Sequence, residues 1–291
     1  MSAADGGVAI LAGGGALPRE LADRLAVRGR AVRILALRGF ADRGTLRRAE
    51  CAFDIVDALG IIRRLHAWRP AAVVLVGVVH RPTPRALLGA VAAAYRNRDF
   101  LLPIMRAGDD RLLRTVVGLF EREGFTVEGI ATLAPELLAG VGVFGRVEPT
   151  AASRAAIGLG VRCLTALSPF DVGQAAVVAG SRIAAVEGPE GTDAMIARAQ
   201  RLGRTSRLHG GEGGPVLVKM AKAGQDLRVD LPAIGPDTVR RAARAGFSGI
   251  AVGAGATLVI DRATTIEEAD RRGLFVVGVD TAQDVPGEMS E

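Results

Sequence analysis

The stretch VAILAGGGALPRELADRLAVRG, residues 8–29, decides how the chain folds. Residues 8–12 are an uninterrupted apolar run of strand length. Gly13-Gly14-Gly15 ends the run at once, and glycine is the residue that permits positive φ and close approach to the backbone. From Pro18 onward apolar residues return at helical spacing, with Leu21 and Leu25 on one side and the small Ala22 and Ala26 beside them. Gly29 stands where a helix closes on a left-handed residue. A buried strand, a glycine turn and an amphipathic helix in this order open a βαβ unit.

Working outward, the same alternation continues. Strands are predicted over 31–37, 72–79 and 125–130, and helices over 61–68, stopping before Pro70, and 109–123, ending at Gly124. That rhythm implies a mainly parallel, Rossmann-like sheet. Between Pro135 and Thr150 the pattern weakens into short pieces punctuated by Gly140, Gly142, Gly145 and Pro149. The domain connection is placed there, dividing the chain into residues 1–134 and 135–291. The second part is also mixed. Helices are expected over 151–164, 192–202, 237–245 and 264–272. Strands are expected over 175–179 and 183–186, which form a hairpin around Gly180-Ser181, and over 216–220, 249–252, 258–260 and 275–279. The fold class is therefore α/β, with two mixed α/β domains.

Composition agrees with a packed enzyme or binding protein. Hydrophobic residues are 49% of 291 and aromatics only 4%, so small aliphatic residues carry the core, as suits helices layered on sheets. Cys51 and Cys163 are far apart and read as free thiols of a reducing compartment. The N-terminus shows no secretory signal, and no apolar run nears the roughly 20 residues needed to span a bilayer. The net charge of +6 comes from arginines spread along the chain without basic blocks or interleaved aromatics, which argues against nucleic acid. A positive field of that size also suits phosphorylated substrates or an anionic lipid surface.

Two motifs carry chemistry. Gly13, Gly14 and Gly15, between strand and helix, suit either a phosphate at the helix N-terminus or a tight turn without ligand. The G-x-G-x-x-G fingerprint is incomplete, because Leu17-Pro18 occupies the place of its last glycine, and the Walker A lysine is absent. Asp42, the acidic residue at the right distance, is expected in a loop. The second motif, KMAKAGQDLRVDLP at 219–232, holds both lysines of the chain, Arg228, and the aspartates Asp226 and Asp230 at spacing four. Were this segment extended, the two carboxylates would face one side with Arg228 between them. Such a set suits a divalent cation and phosphate oxygens, or equally a solvated edge strand with internal ion pairs. Thr192-Asp193 and Asp109-Asp110 open helices, so capping competes with substrate binding at both. His66, His80 and His209 form no metal pattern, and the serines at 153, 168, 181 and 206 lack a nucleophile elbow.

The segments LAGGGALPRELA, GDDRLLRTVVGLFEREGFTV, DVGQAAVV, EGTDAMIAR, VLVKMAKAGQDLRVDLPAIGPDTV and LVIDRATTIEEADRRGLFVVG together resemble one family. They look like the UDP-2,3-diacylglucosamine pyrophosphatases of the alphaproteobacterial lipid A pathway (LpxI-type), over nearly the whole chain from Val8 to Val279. The resemblance implies two domains with the active site between them. It also implies magnesium-dependent hydrolysis of UDP-2,3-diacylglucosamine to 2,3-diacylglucosamine 1-phosphate and UMP, with water attacking the β-phosphorus. By the same match Asp226 is the essential carboxylate with Asp230 as partner, both also holding the metal. Lys219, Lys222 and Arg228 would hold phosphates, with Gln225 in the same block. Thr192 and Asp193 would approach the glucosamine phosphate, and Asp109, Asp110 and the three glycines would bind substrate. Residues 57–64, DALGIIRR, depart from the Gly-Gln-Leu-Gly-like turn of relatives, which puts a ligand role for that stretch in doubt. The resemblance implies a cytoplasmic protein in peripheral contact with the inner membrane and leaves self-association open. Rival expectations are an NAD(P)-dependent oxidoreductase built on the first βαβ unit, and a nucleotide or lipid carrier without turnover.

Overall fold

A computed structural model describes residues 6–55, 57–79, 109–204 and 214–281. Its contacts divide the chain into two compact units. The first is Met1–Ala134 together with Asp226–Asp230, and the second is Pro135–Gln225 together with Leu231–Glu291.

In the first unit β1 (Val8–Ala12) is central, with β2 (Val32–Leu37) on one side and β4 (Ala72–Val76) on the other; β3 (Cys51–Phe53) completes the order β3-β2-β1-β4. All pairs are parallel, with Val8 level with Val32 and Ala72. Every residue of β1 is buried, as expected of a central strand covered on both faces. Helix α1 (Leu17–Val27) packs Leu17, Leu21, Ala22 and Leu25 inward, while Ala26 is exposed. Gly29 closes it at φ +74°, donating to the Ala26 carbonyl at 2.9 Å while Arg30 N–H reaches Leu25 O at 3.0 Å.

Among the elements not expected are β3 and α2 (Arg43–Arg48). The latter has one apolar side chain in six residues, and Asp42 caps it by accepting the Thr45 N–H at 2.8 Å. Asp42 therefore stands at a helix start rather than in an open loop. Helix α3 (Ala58–Trp68) begins three residues earlier than its apolar spacing suggests, because Asp57 accepts the Gly60 N–H at 3.0 Å. Strand β4 stops at Val76 instead of Val79. Gly77 takes φ +100°, and Val78 turns back to form an antiparallel bridge with Gly14.

Helix α4 (Asp109–Arg122) follows, but the strand predicted over 125–130 shrinks to a single parallel bridge, Val127 to Val73. Beside Gly129 lies the backbone of Leu227 and Arg228, so close that a Cβ on Gly129 would meet Arg228 Cα at 2.8 Å. The chain turns there into the short helix α5 (Ile130–Leu133).

The second unit is a six-stranded sheet. Its strands are β5 (Gly142–Val143), β6 (Ala175–Ala179), β7 (Arg182–Val186), β8 (Val216–Lys219), β10 (Gly249–Gly253) and β12 (Phe275–Val279), in the order β5-β12-β10-β8-β6-β7. The three central strands β8, β10 and β12 are parallel. The β6–β7 hairpin expected around Gly180-Ser181 is present and adds antiparallel to β8. A separate two-stranded ladder joins β9 (Ala233–Ile234) and β11 (Leu258–Val259).

Strand alternation sorts the core into two layers. On one face Ala176, Val178, Val216, Val218 and Val277 meet Ile157, Val161 and Leu164 of α6 (Ala151–Leu167). On the other, Ala175, Val177, Leu217, Ile250 and Val276 meet α7 (Thr192–Arg204), α8 (Pro236–Arg244) and α9 (Arg262–Arg271) through Met195, Ile196, Val239 and Ala269. Each fully buried aliphatic side chain contributes about 1.5–3 kcal/mol. No helix among the described residues is long and apolar enough to cross a membrane.

Candidate active site

The glycine loop is built by mutual backbone pairing. Gly13 N–H donates to Val76 O and Gly14 N–H to Val78 O, each at 2.8 Å, while Val78 N–H returns to Gly14 O at 2.9 Å. A side chain at Gly13 would strike Val78 O at 2.8 Å, and one at Gly14 would strike Phe40 O at 2.9 Å. These two glycines are therefore required by the close approach of the strand ends, and both their N–H groups are occupied. Gly15 differs: it sits at φ +91° with open space where a side chain would project, at the entry to α1. A phosphate role for this loop falls to Gly15 and the first turn of α1.

Against Gly129, two residues after the bridge of Val127 to β4, lies the turn Asp226–Asp230. It is a turn and not an extended segment: Val229 and Asp230 N–H both donate to Asp226 O at 3.1 Å. Val229 packs against the apolar core of the first unit, which explains why these five residues belong there while their neighbours in sequence do not. Arg228 grips Asp226 with a two-pronged contact, Nε to Oδ1 at 2.9 Å and Nη2 to Oδ2 at 2.7 Å, and its backbone N–H adds a third at 3.1 Å. Its remaining arm donates to Glu121 Oε1 of α4 at 2.7 Å. The guanidinium of Arg228 holds the Asp226 carboxyl below the usual carboxylate range, against the opposing effect of burial. Asp226 is thus kept ionised.

In the second unit Thr192, the first residue of α7, meets Lys219, the last of β8: Lys219 Nζ donates to Thr192 Oγ1 at 2.8 Å. The Thr192 hydroxyl in turn donates to Glu187 Oε1 at 2.7 Å, and Glu187 Oε2 accepts the Gln174 N–H at 2.9 Å. Lys222 is drawn to Asp171, and Gln225 folds back to accept the Lys222 N–H at 2.9 Å. Asp193 points elsewhere, pairing with Arg241 at 3.1 Å on an exposed surface. A helix opens at Asp109, but the side chains of Asp109 and Asp110 lie outside the described residues, as do His80, Ser206 and His209.

The structure thus joins Thr192 to Lys219 and Asp226 to Arg228. It also adds three carboxylates that the sequence reading did not single out as site residues: Glu187, Glu121 and Asp171. Each lies in a stretch that the sequence already marks: Glu187 directly after a predicted strand, Glu121 in the helix predicted over 109–123, and Asp171 at the head of DVGQAAVV.

Among the described residues no three carboxylate, histidine or cysteine side chains gather to hold a metal. Magnesium, however, is commonly held by one or two carboxylates and completes its shell with water and phosphate oxygens. An ionised Asp226 with Asp230 on the same turn fits that donor set, with Arg228 as competitor for the Asp226 oxygens.

Comparison with known proteins matches both parts of the chain. The LpxI N-terminal domain matches residues 7–137 and the LpxI C-terminal domain residues 140–277. The UDP-2,3-diacylglucosamine pyrophosphatase LpxI of Caulobacter vibrioides is 41% identical over 276 residues, which is 93% of this chain and 96% of that one. Among solved structures, glycinamide-RNase-transformylase T from Mycobacterium tuberculosis aligns with 62% of this chain and 43% of its own at 17% identity. Its TM-score of 0.21 is too low to support an argument. With both domains matched and identity sustained along nearly its full length, the chain belongs to the LpxI family.

Proposed function

We propose that this protein hydrolyses the pyrophosphate of UDP-2,3-diacylglucosamine to 2,3-diacylglucosamine 1-phosphate and UMP, a step of lipid A formation. The observation that carries the proposal is the 41% identity over 93% of the chain to the Caulobacter pyrophosphatase. Local chemistry supports it: ionised Asp226, Asp230, Arg228, Lys219 and Lys222 fall within twelve residues of chain. Water forms a bond to the β-phosphorus and gives up a proton to solvent, the bond from that phosphorus to the bridging oxygen breaks, and UMP leaves with the bridging oxygen. Asp226 and Asp230 accept hydrogen bonds from the attacking water and align it. Lys219 and Lys222 bind phosphate oxygens as point charges, and Arg228 fixes the Asp226 carboxylate. Asp226 and Asp230 would hold Mg²⁺, which when bound neutralises pyrophosphate charge and polarises a phosphoryl oxygen. The two acyl chains of the substrate place it in a bilayer, so the protein works in peripheral contact with the cytoplasmic face of the inner membrane.

The test is release of UMP from UDP-2,3-diacylglucosamine in detergent micelles, with and without chelator, in water enriched in ¹⁸O. The expected result is magnesium-dependent turnover with label in the lipid 1-phosphate, and a loss of about 100-fold or more in Asp226→Asn. Absence of UMP release by the unmodified protein overturns the substrate. Undiminished turnover by Asp226→Asn overturns the role of that carboxylate, and label in UMP overturns attack at the β-phosphorus.

A further inference from the structure

We propose that Glu187 is a positioning residue that orders Thr192 and Lys219 through a one-way hydrogen-bond relay, presenting the Lys219 ammonium to a substrate phosphate; the second half of this statement rests on the function proposed above. The direction of the relay follows from donor and acceptor chemistry. An ammonium group only donates, so Thr192 Oγ1 accepts from Lys219 Nζ at 2.8 Å. A hydroxyl has one hydrogen, and the Thr192 hydrogen is directed to Glu187 Oε1 at 2.7 Å. The other carboxylate oxygen of Glu187 accepts the Gln174 N–H at 2.9 Å. The Thr192 hydroxyl hydrogen is therefore committed to Glu187, and its side chain serves to steer Lys219.

The place of Glu187 is over-determined by the backbone. Its own N–H donates to Ala175 O at 2.8 Å, at the end of β7. Opposite, Gly173 is pressed so closely that a Cβ there would lie 2.3 Å from Glu187 O. The residue preceding β6 and the first residue of a helix thus converge on one side chain. Both of its oxygens must accept. A carboxylate satisfies this and an amide cannot: in glutamine the NH₂ would face either the Gln174 N–H or the Thr192 hydroxyl. In the second case the Thr192 oxygen would accept from both the amide and Lys219, and its own hydrogen would lose its acceptor. The isosteric replacement Glu187→Gln therefore breaks the relay without emptying the space.

Lys219 and Lys222 are the only lysines of the chain, so each can be followed separately. The experiment measures the pH dependence of acetic anhydride labelling at both lysines by mass spectrometry in the full-length protein, alongside kcat and KM for UDP-2,3-diacylglucosamine. In Glu187→Gln the Lys219 titration is expected to move about one pH unit downward, because the stabilising anion is lost. Lys222, held by Asp171, stays in place. The value of kcat/KM is expected to fall on the order of tenfold to a hundredfold, mainly through KM. In Glu187→Asp the charge remains but the shorter arm cannot reach both donors. Lys219 is expected to titrate near its unmodified value while kcat/KM still falls, and this variant serves if Glu187→Gln does not fold.

An unmoved Lys219 in Glu187→Gln overturns the relay. A shifted Lys219 with unchanged kcat/KM, or full kcat/KM in Glu187→Asp, overturns its part in substrate positioning. A shifted Lys219 in a protein that never releases UMP supports the relay and rejects the substrate instead.

Discussion

Arg228 divides one guanidinium between two carboxylates, Asp226 through two nitrogens and Glu121 through the third. A lysine at this position would be a point charge and could not reproduce the fork that fixes both Asp226 oxygens. Nor does the pair add much to folding, since Arg228 is 42% exposed and solvent screens it; the cost of losing it is below about 1 kcal/mol. Arg228→Lys is therefore expected to lower kcat/KM for UDP-2,3-diacylglucosamine by roughly tenfold or more while leaving the melting temperature nearly unchanged. Steady-state kinetics and thermal melts on the same preparation check this. A variant with full kcat/KM would show that the grip on Asp226 is dispensable. At Gly13 and Gly14 the scale is the same but the cause differs, because those residues are small to let strand ends meet. The sequence left turn and phosphate loop both open there, and the geometry separates Gly15 from its two neighbours.

At the scale of elements, α6 shows how glycine sets the distance between a helix and a sheet. A Cβ on Gly160 would lie 2.5 Å from Val218 Cγ2 and 3.1 Å from Val178 Cγ2, both on β-branched side chains of the buried sheet face. On the same helix a Cβ on Gly158 would meet only Arg162 Nη1, at 3.5 Å. Alanine gains up to about 1 kcal/mol over glycine in a helix, whereas overpacking a core costs roughly 1–3 kcal/mol. Gly158→Ala is expected to raise stability by as much as 1 kcal/mol of propensity allows, and Gly160→Ala to lower it by roughly 1–2 kcal/mol. Adding Val218→Ala to Gly160→Ala should bring a coupling energy that offsets part of the loss. Denaturant titrations of Gly158→Ala, Gly160→Ala, Val218→Ala and the double variant decide, and stabilisation by Gly160→Ala would contradict the contact. Elements of this kind were readable in advance because β1, β6 and β12 are uninterrupted apolar runs of strand length, while the apolar residues of α6 recur at helical spacing. Helix α2 was missed because a cap and the Arg19 contacts of Asp42 and Thr45 hold it, not an apolar face. The strand expected near Val127 was cut short by a turn drawn from a hundred residues away in the chain.

Across the whole molecule, that turn is the feature least legible in the sequence. Of the two apolar residues in Asp226–Asp230, Leu227 and Val229, it is Val229 that packs against the core of the first unit, and two apolar residues among three charges are too short a pattern to announce where they pack. The residue types of the candidate site were readable from charge and spacing, and their assignment to a reaction came from the family pattern. Their partners were not readable, because Glu187 reaches Thr192, Asp171 reaches Lys222 and Glu121 reaches Arg228 through contacts between different segments of the fold. Charge placement also sets how the fold responds to acid. Glu268, a residue 8% exposed, lies among Arg271, Arg272 and Arg240, which hold its carboxyl down at about 2 against an ordinary 4.5. Arg19 and the Thr45 N–H hold Asp42 at about 2 against 3.8. For a carboxylate depressed in the folded state, the unfolded chain binds protons first as pH falls. The stability these groups contribute is complete above about pH 4.5 and disappears as pH drops toward about 2. Melting temperature should therefore hold level through neutral pH and fall steeply across that acidic window. In Glu268→Gln the melting temperature is expected to be lower near neutrality, where three arginines have lost their shared anion, and its fall between about pH 4.5 and about 2 to be shallower. Thermal melts of both proteins across that range test the linkage, and parallel profiles would show that Glu268 does not contribute to it.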